Sequence, residues 1–332
     1  MAEAKIQYQK IDMQKINSAN EDDLFYFVDN NTLESEKITA PRYSYWKSVF
    51  RTFFKKKTNY VILAILAIIL LLTFIYPIFA QYNEFENVAD GKSYNLSPGA
   101  AIDYFGFSFK WILGTGKQGN SIFDGTWAGA LISLSLAIVC ATINMILGIL
   151  IGAVWGYNRR VDQVLTVVFN IVANVPYILL ISVLVYIIGG GFIQFVFALT
   201  ITGWLGIAYF FRNQVMIIRD REYNMASRCL GTSMIKVVQH NVLPFMTSVI
   251  VTILATELPS YISMEVFLSY IGIGLSAEIP SLGRMIQNAQ DSFIQFPWAF
   301  WGPVAVSAAI TIILYVLGQN LADASDPRTH MQ

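Results

Sequence analysis

Residues 60–80 read YVILAILAIILLLTFIYPIFA, without one charged side chain. A helix of about 20 apolar residues matches the ~30 Å hydrocarbon core of a bilayer, so this stretch reads as a membrane-spanning helix. Outward from it, further apolar segments lie at about 127–155, 163–188, 192–216, 241–266 and 299–322. Only helices and closed barrels satisfy their backbone hydrogen bonds in lipid, and runs this long are not the ~10-residue alternation of barrel strands. Composition agrees. The 332 residues are 55% hydrophobic and 13% charged, about half the charge of a soluble domain of this length. The expected fold is an all-α integral membrane protein with six transmembrane helices.

Zero net charge gives no sign of nucleic acid or of an acidic partner. The two cysteines, Cys140 in an apolar run and Cys229 in a charged loop, make no disulfide framework. His240 and His330 are too far apart in sequence for a zinc site, and no cofactor is expected. The polar start of the chain is unlike a signal peptide, so the first apolar run is expected to remain as an anchor. Lys and Arg set the expected orientation. With the N-terminus inside, eighteen lie inside and four (Lys92, Lys110, Lys117 and Arg284) outside. The positive-inside rule then places both termini in the cytoplasm and the loop 81–126 outside.

Residues 1–41 are polar and acidic and read as a small cytoplasmic appendage. Residues 42–58 contain RYSYWKSVFRTFFKKK, in which Trp46, Phe50, Phe53 and Phe54 recur at spacings of three and four with basic residues between them. That spacing predicts an amphipathic helix lying in the membrane interface, in contact with lipid. Residues 59–332 form the membrane domain. Gly189, Gly190 and Gly191 predict a tight turn between two of its helices.

The most informative loop is 219–240, RDREYNMASRCLGTSMIKVVQH, followed by Asn241-Val-Leu-Pro244. Tyr223, Ala226, Leu230, Met234 and Val237 fall on one helical stripe, with Glu222, Arg228 and Lys236 off it. Such a helix either packs on its own bundle or lays its apolar face in a partner's groove. Here Glu222-Tyr223, Met225-Ala226-Ser227, Gly231 and Leu243-Pro244 resemble the EAA signature of ABC-importer permeases, with Met225 where the signature has glutamate. Further stretches are similar to the C-type permease subunit of oligopeptide (Opp/Ami-like) importers, in its Gram-positive members. They are Leu113-Gly-Thr115, Val175-Pro176, Glu265-Val-Phe-Leu-Ser-Tyr-Ile-Gly272, Pro280-Ser-Leu-Gly283 and Leu321-Ala-Asp323-Ala-Ser-Asp326-Pro-Arg328.

The resemblance implies a type I ABC importer permease architecture in the plasma membrane, with a cytoplasmic coupling helix that docks on an ATPase. It implies as partners a homologous B-type permease, two ATPase subunits and an extracellular peptide-binding lipoprotein, with an oligopeptide as substrate. The chain itself is not expected to be an enzyme. A P-loop needs Gly-x-x-x-x-Gly-Lys-Ser/Thr. Gly91-Lys92-Ser93 has Glu86 where the first glycine belongs, and Gly116-Lys117 is followed by Gln118. The competing readings are an ion-coupled secondary transporter and a channel-type subunit, because Glu257 and Glu265 fall in or near the fifth helix and could line a pathway. Eight residues apart, they stand about 80° out of alignment, and no inverted repeat is visible.

Overall fold

The computed structural model describes residues 44–80, 82–83 and 92–326; the expectations for residues 1–41 lie outside them. The elements in chain order are α1 (Tyr45–Lys55), α2 (Lys57–Ala80, interrupted at Ile75), α3 (Pro98–Phe105), α4 (Ile122–Tyr157), α5 (Arg159–Ala173) and α6 (Tyr177–Ile188). Then follow α7 (Phe192–Arg219), α8 (Glu222–Cys229), α9 (Met234–Val237), α10 (Thr247–Tyr270), α11 (Leu282–Ala289) and α12 (Pro297–Ser325). Among the described residues α2, α4, α7, α10 and α12 are each long and apolar enough to cross a membrane, and α5 with α6 can make a sixth span.

That sixth span is the main departure from the expected helices. The segment 163–188 is not one straight helix: α5 and α6 meet at a bend of 82°. Pro176 causes the break, since it disfavours helical backbone at Val175 and has no N–H to donate. α6 alone has 12 residues, about 18 Å of helix, short of the ~30 Å hydrocarbon core. The predicted glycine turn is present between α6 and α7, with Gly189 at φ +94° and the Gly190 carbonyl accepting from the Ser276 N–H at 2.8 Å. The fifth span begins later than expected. A π-helical turn at Val238–Val242 and a short turn around Pro244 come before Thr247.

Without a hydrophobic driving force between helices in lipid, close backbone approach has to supply the packing. Gly148, Gly152 and Gly156 recur every four residues on α4 and face α7. A Cβ at Gly152 would stand 2.6 Å from the Ala208 carbonyl oxygen, and one at Gly156 2.6 Å from that of Arg212. Around this pair the core divides in two. Trp127, Leu134, Phe195, Leu199, Ile262 and Leu268 are buried in the larger cluster. Met145, Phe211, Val215, Val238, Val242 and Met246 form a second cluster under the loop 219–240. A polar clamp crosses the interior, where the Asn144 side-chain amide donates to the Tyr261 hydroxyl at 2.5 Å and so ties α4 to α10.

The end of the bundle that carries Lys55 to Lys57, Arg159, Arg160, Arg219, Arg221 and Arg228 is here called the basic end. α1 lies there against the end of α12, with Val49 and Phe53 buried beside Ala324.

Candidate functional site

The loop 219–240 is not one long helix. α8 stops at Cys229, and Gly231 takes φ +82°. The Thr232 N–H donates to the Ser227 carbonyl at 3.0 Å and the Gly231 N–H to that of Arg228 at 2.9 Å. This paired pattern closes a helix through a left-handed residue, which glycine adopts freely and asparagine tolerates. A Cβ on Gly231 would meet nothing within 4 Å, so Gly231 sets backbone direction rather than making room for a neighbour inside this subunit. α9 then starts afresh, and the predicted stripe splits between two helices: Val237 is buried, while Tyr223, Ala226 and Leu230 are exposed.

The burial of α8 is inverted relative to an ordinary surface helix. Leu230 is 86% exposed, Tyr223 45% and Met225 42%, whereas Asn224 is fully buried. Asn224 holds the helix down. Its amide donates to the Ile218 carbonyl at 2.9 Å, and its oxygen accepts from the Asn241 amide at 2.9 Å. Asn241 also reaches the Ser227 hydroxyl at 3.5 Å. Glu222 is exposed in the first turn, where negative charge favours the helix macrodipole. Pro244 is exposed beside Phe245, and the Arg221 guanidinium lies 5.0 Å from the centre of the Phe245 ring.

Two braces fix the base of the loop. Arg219 donates to the Gly156 carbonyl at 2.9 Å and pairs with Asp220 at 3.0 Å. That pairing holds the Asp220 carboxyl below the usual carboxylate range. Arg212 pairs with Asp162 of α5, whose carboxylate also accepts from the Trp155 indole N–H at 3.0 Å. A stack of Phe169 on Tyr209, with centroids 4.2 Å apart, adds to this junction. The junction between α5 and the α4–α7 pair thus holds an ion pair beside an aromatic stack.

The two carboxylates of α10 part company. Glu265 is wholly buried; it accepts from Ser133 at 2.6 Å and from Ser269 at 2.9 Å, and the Ser133 hydroxyl accepts from the Leu282 N–H at 3.1 Å. This network joins α4, α10 and α11. Glu257 is half-buried, one turn before Tyr261 on the same helix.

The stripe Tyr223, Ala226, Leu230 is legible in the sequence, whereas the pairing of Asn224 with Asn241 emerges only in the fold. The available signal was an Asn lying off an otherwise apolar stripe, with a second Asn at the start of the next apolar segment. The Gly148, Gly152, Gly156 repeat was equally readable as a close-packing face.

Such a bundle, with five helices long and apolar enough to cross a membrane and a sixth broken one among the described residues, defines a polytopic membrane protein. Residues 144–331 match the family model described as "Binding-protein-dependent transport system inner membrane component". Residues 44–98 match "N-terminal TM domain of oligopeptide transport permease C". The chain is 44% identical to the oligopeptide transport system permease protein AmiD of Streptococcus pneumoniae, over 92% of this chain and 97% of that one. It is 29% identical to the oligopeptide permease OppC of Bacillus subtilis, over 90% and 94%, and 29% identical to the dipeptide permease DppC of the same organism, over 92% and 93%. A chain of the inward-facing MetNI methionine ABC transporter superposes with a TM-score of 0.49 at 18% identity, covering 61% of this chain and 95% of that one. The chain belongs to the inner-membrane permease components of binding-protein-dependent ABC importers, in the Opp/Ami branch.

Proposed function

We propose that this subunit forms half of the path by which an ATP-driven importer takes up oligopeptides. The reading that the loop 219–240 transmits the stroke rests on one observation, the inverted burial of α8. A helix that hides Asn224 and shows Tyr223, Met225 and Leu230 to water leaves apolar area uncovered that a partner's groove would remove from solvent. In this reading Glu222, Tyr223, Met225, Ala226, Ser227 and Leu230 meet an ATPase subunit, Gly231 ends the helix so that Leu230 stands at its tip, and Pro244 begins the return into the bundle. Both termini and the basic end are cytoplasmic, in line with the charge asymmetry. The remaining partners are a B-type permease, a second ATPase and an extracellular peptide-binding lipoprotein. The oligopeptide substrate is supported by the similarity to AmiD and OppC.

ATP is the ligand that distinguishes the two conformations, since only a ligand with different affinity for each can drive the exchange. Closure of the ATPase pair would carry α8 with it, and Asn224, Asn241 and Arg219 would pass the motion to α7, α10 and α4. Glu265 serves as a buried tie to Ser133 and Ser269, and in this reading neither it nor Glu257 has to carry a proton. The test is peptide uptake by the assembled importer in vesicles. It should require ATP on the side of the basic end, survive collapse of the proton gradient at constant ATP, and change less than about threefold in Glu257→Gln. Uptake by this subunit alone, driven by a pH gradient, would return Glu257 to the pathway and remove the ATPase from the reading.

A further inference from the structure

α1 divides lengthwise into three sectors at 100° per residue. Tyr45, Val49 and Phe53 form the first, Trp46, Phe50 and Phe54 the second, and Lys47, Arg51 and Lys55 the third. The first sector is packed. Val49 and Phe53 are buried against Ala324, and the Tyr45 hydroxyl donates to the Ser325 carbonyl at 2.9 Å. The roll of the helix is locked as well, because the Asn59 amide donates to the Phe53 carbonyl at 2.7 Å and the Asn320 amide to the Asn59 side-chain oxygen at 2.8 Å. The aromatic and basic sectors are therefore held outward, and both are exposed. Among the described residues no acid pairs with Lys47, Arg51 or Lys55; the neighbouring ion pair, Lys56 with Asp323 at 3.7 Å, uses the next lysine.

Between the basic side of α1 and the end of α12 runs a groove of about 820 Å³, lined by Arg51, Phe54, Lys55, Lys56, Asn320 and Asp323, in which the one acid, Asp323, is paired with Lys56. Only Lys56 separates α1 from the span α2, so the groove sits at the depth of the lipid headgroups. Aromatic rings favour that depth. Arginine recognises phosphate oxygens through paired N–H donors, and a cluster of Lys and Arg beside a span attracts anionic lipid. We propose that this groove binds an anionic phospholipid of the adjacent leaflet, its phosphate at Arg51 and Lys55 and its acyl chains beside Phe54. A zwitterionic lipid brings its own cation against Lys47, Arg51 and Lys55 and is disfavoured there. The site holds α1 to both the leaflet and α12, and it stands independently of the substrate.

The test titrates phosphatidylglycerol, and separately phosphatidylcholine, into the delipidated, assembled importer and reads bound lipid by native mass spectrometry. Each basic residue near an anionic surface is worth roughly fivefold in affinity, so Lys47→Gln/Arg51→Gln/Lys55→Gln should lose on the order of a hundredfold for phosphatidylglycerol at low salt. The loss should shrink in high salt as the charges are screened. Arg159→Gln/Arg160→Gln/Lys236→Gln removes equal charge from exposed positions at the same end and should bind within about threefold of the parent. Lys47→Arg/Lys55→Arg keeps the charge and should bind as the parent does. Equal losses in both glutamine variants, no loss in the first, a loss in the arginine variant, or equal binding of phosphatidylcholine would each overturn the proposal.

Discussion

Leu230→Asp is expected to cut ATP-driven uptake tenfold or more, while the subunit still inserts and still pairs with its partner permease. Leu230 is 86% exposed and contributes little to the subunit's own packing, so its replacement should leave stability within about 0.5 kcal/mol. In a docked complex the same side chain becomes an anchor. Truncating a central apolar anchor costs about 2 kcal/mol or more, and placing a carboxylate in the groove adds the cost of an unpaired buried charge. Each 1.4 kcal/mol is about tenfold in binding. Uptake and co-purification of the ATPase should therefore fall together. Normal uptake with aspartate at 230 would show that the exposed face of α8 meets nothing.

Asn224→Ala attacks the other side of the same helix. It removes one hydrogen bond from the Ile218 carbonyl, which keeps the Arg221 N–H, and leaves the Asn241 amide only its 3.5 Å contact with the Ser227 hydroxyl, at a cost of about 1 kcal/mol for each bond lost. α8 has 8 residues, too few to be stable alone, so its position depends on these bonds. The expected result is a loss of uptake of several-fold or more with the exposed face chemically intact. Hydrogen exchange at Glu222–Cys229 should speed up while α4 and α7 stay protected. Because Asn224 and Asn241 share one bond, the double variant Asn224→Ala/Asn241→Ala should cost clearly less than the sum of the singles. Additive losses would mean that the two residues act separately and that α8 is held by something else.

Much of this was legible in the sequence for physical reasons. The spans follow from run length because lipid forces each apolar stretch into a self-satisfied helix. The glycine turn at 189–191 follows from backbone freedom, and the helix Tyr45–Lys55 from side-chain periodicity, although Tyr45 and Val49, rather than Trp46, Phe50 and Phe54, share the packed face with Phe53. What stayed hidden depended on tertiary context. Hydropathy sees the segment 163–188 as one span because it does not register the backbone restriction that Pro176 places on Val175. Periodicity finds the stripe of Tyr223, Ala226 and Leu230 but not which way it faces. An apolar stripe is ordinarily buried, and here a buried Asn turns it outward. Glu265 is a pathway candidate on sequence because intramembrane carboxylates are costly and often functional. Its serine partners Ser133 and Ser269 lie on two helices, and only the fold brings the first of them within reach.

The most direct measurement is site-specific cross-linking in the assembled importer. In a Cys140→Ala/Cys229→Ser background, Leu230→Cys and Phe107→Cys each place one thiol at opposite ends of the bundle, both at exposed positions. Labelled with a thiol-reactive photo-cross-linker, the Leu230→Cys subunit should capture an ATPase subunit, with a yield that changes when ATP is bound. Phe107→Cys should not capture the ATPase. Capture of the ATPase by the thiol at 107 and not by that at 230 would contradict both the orientation and the coupling role of α8.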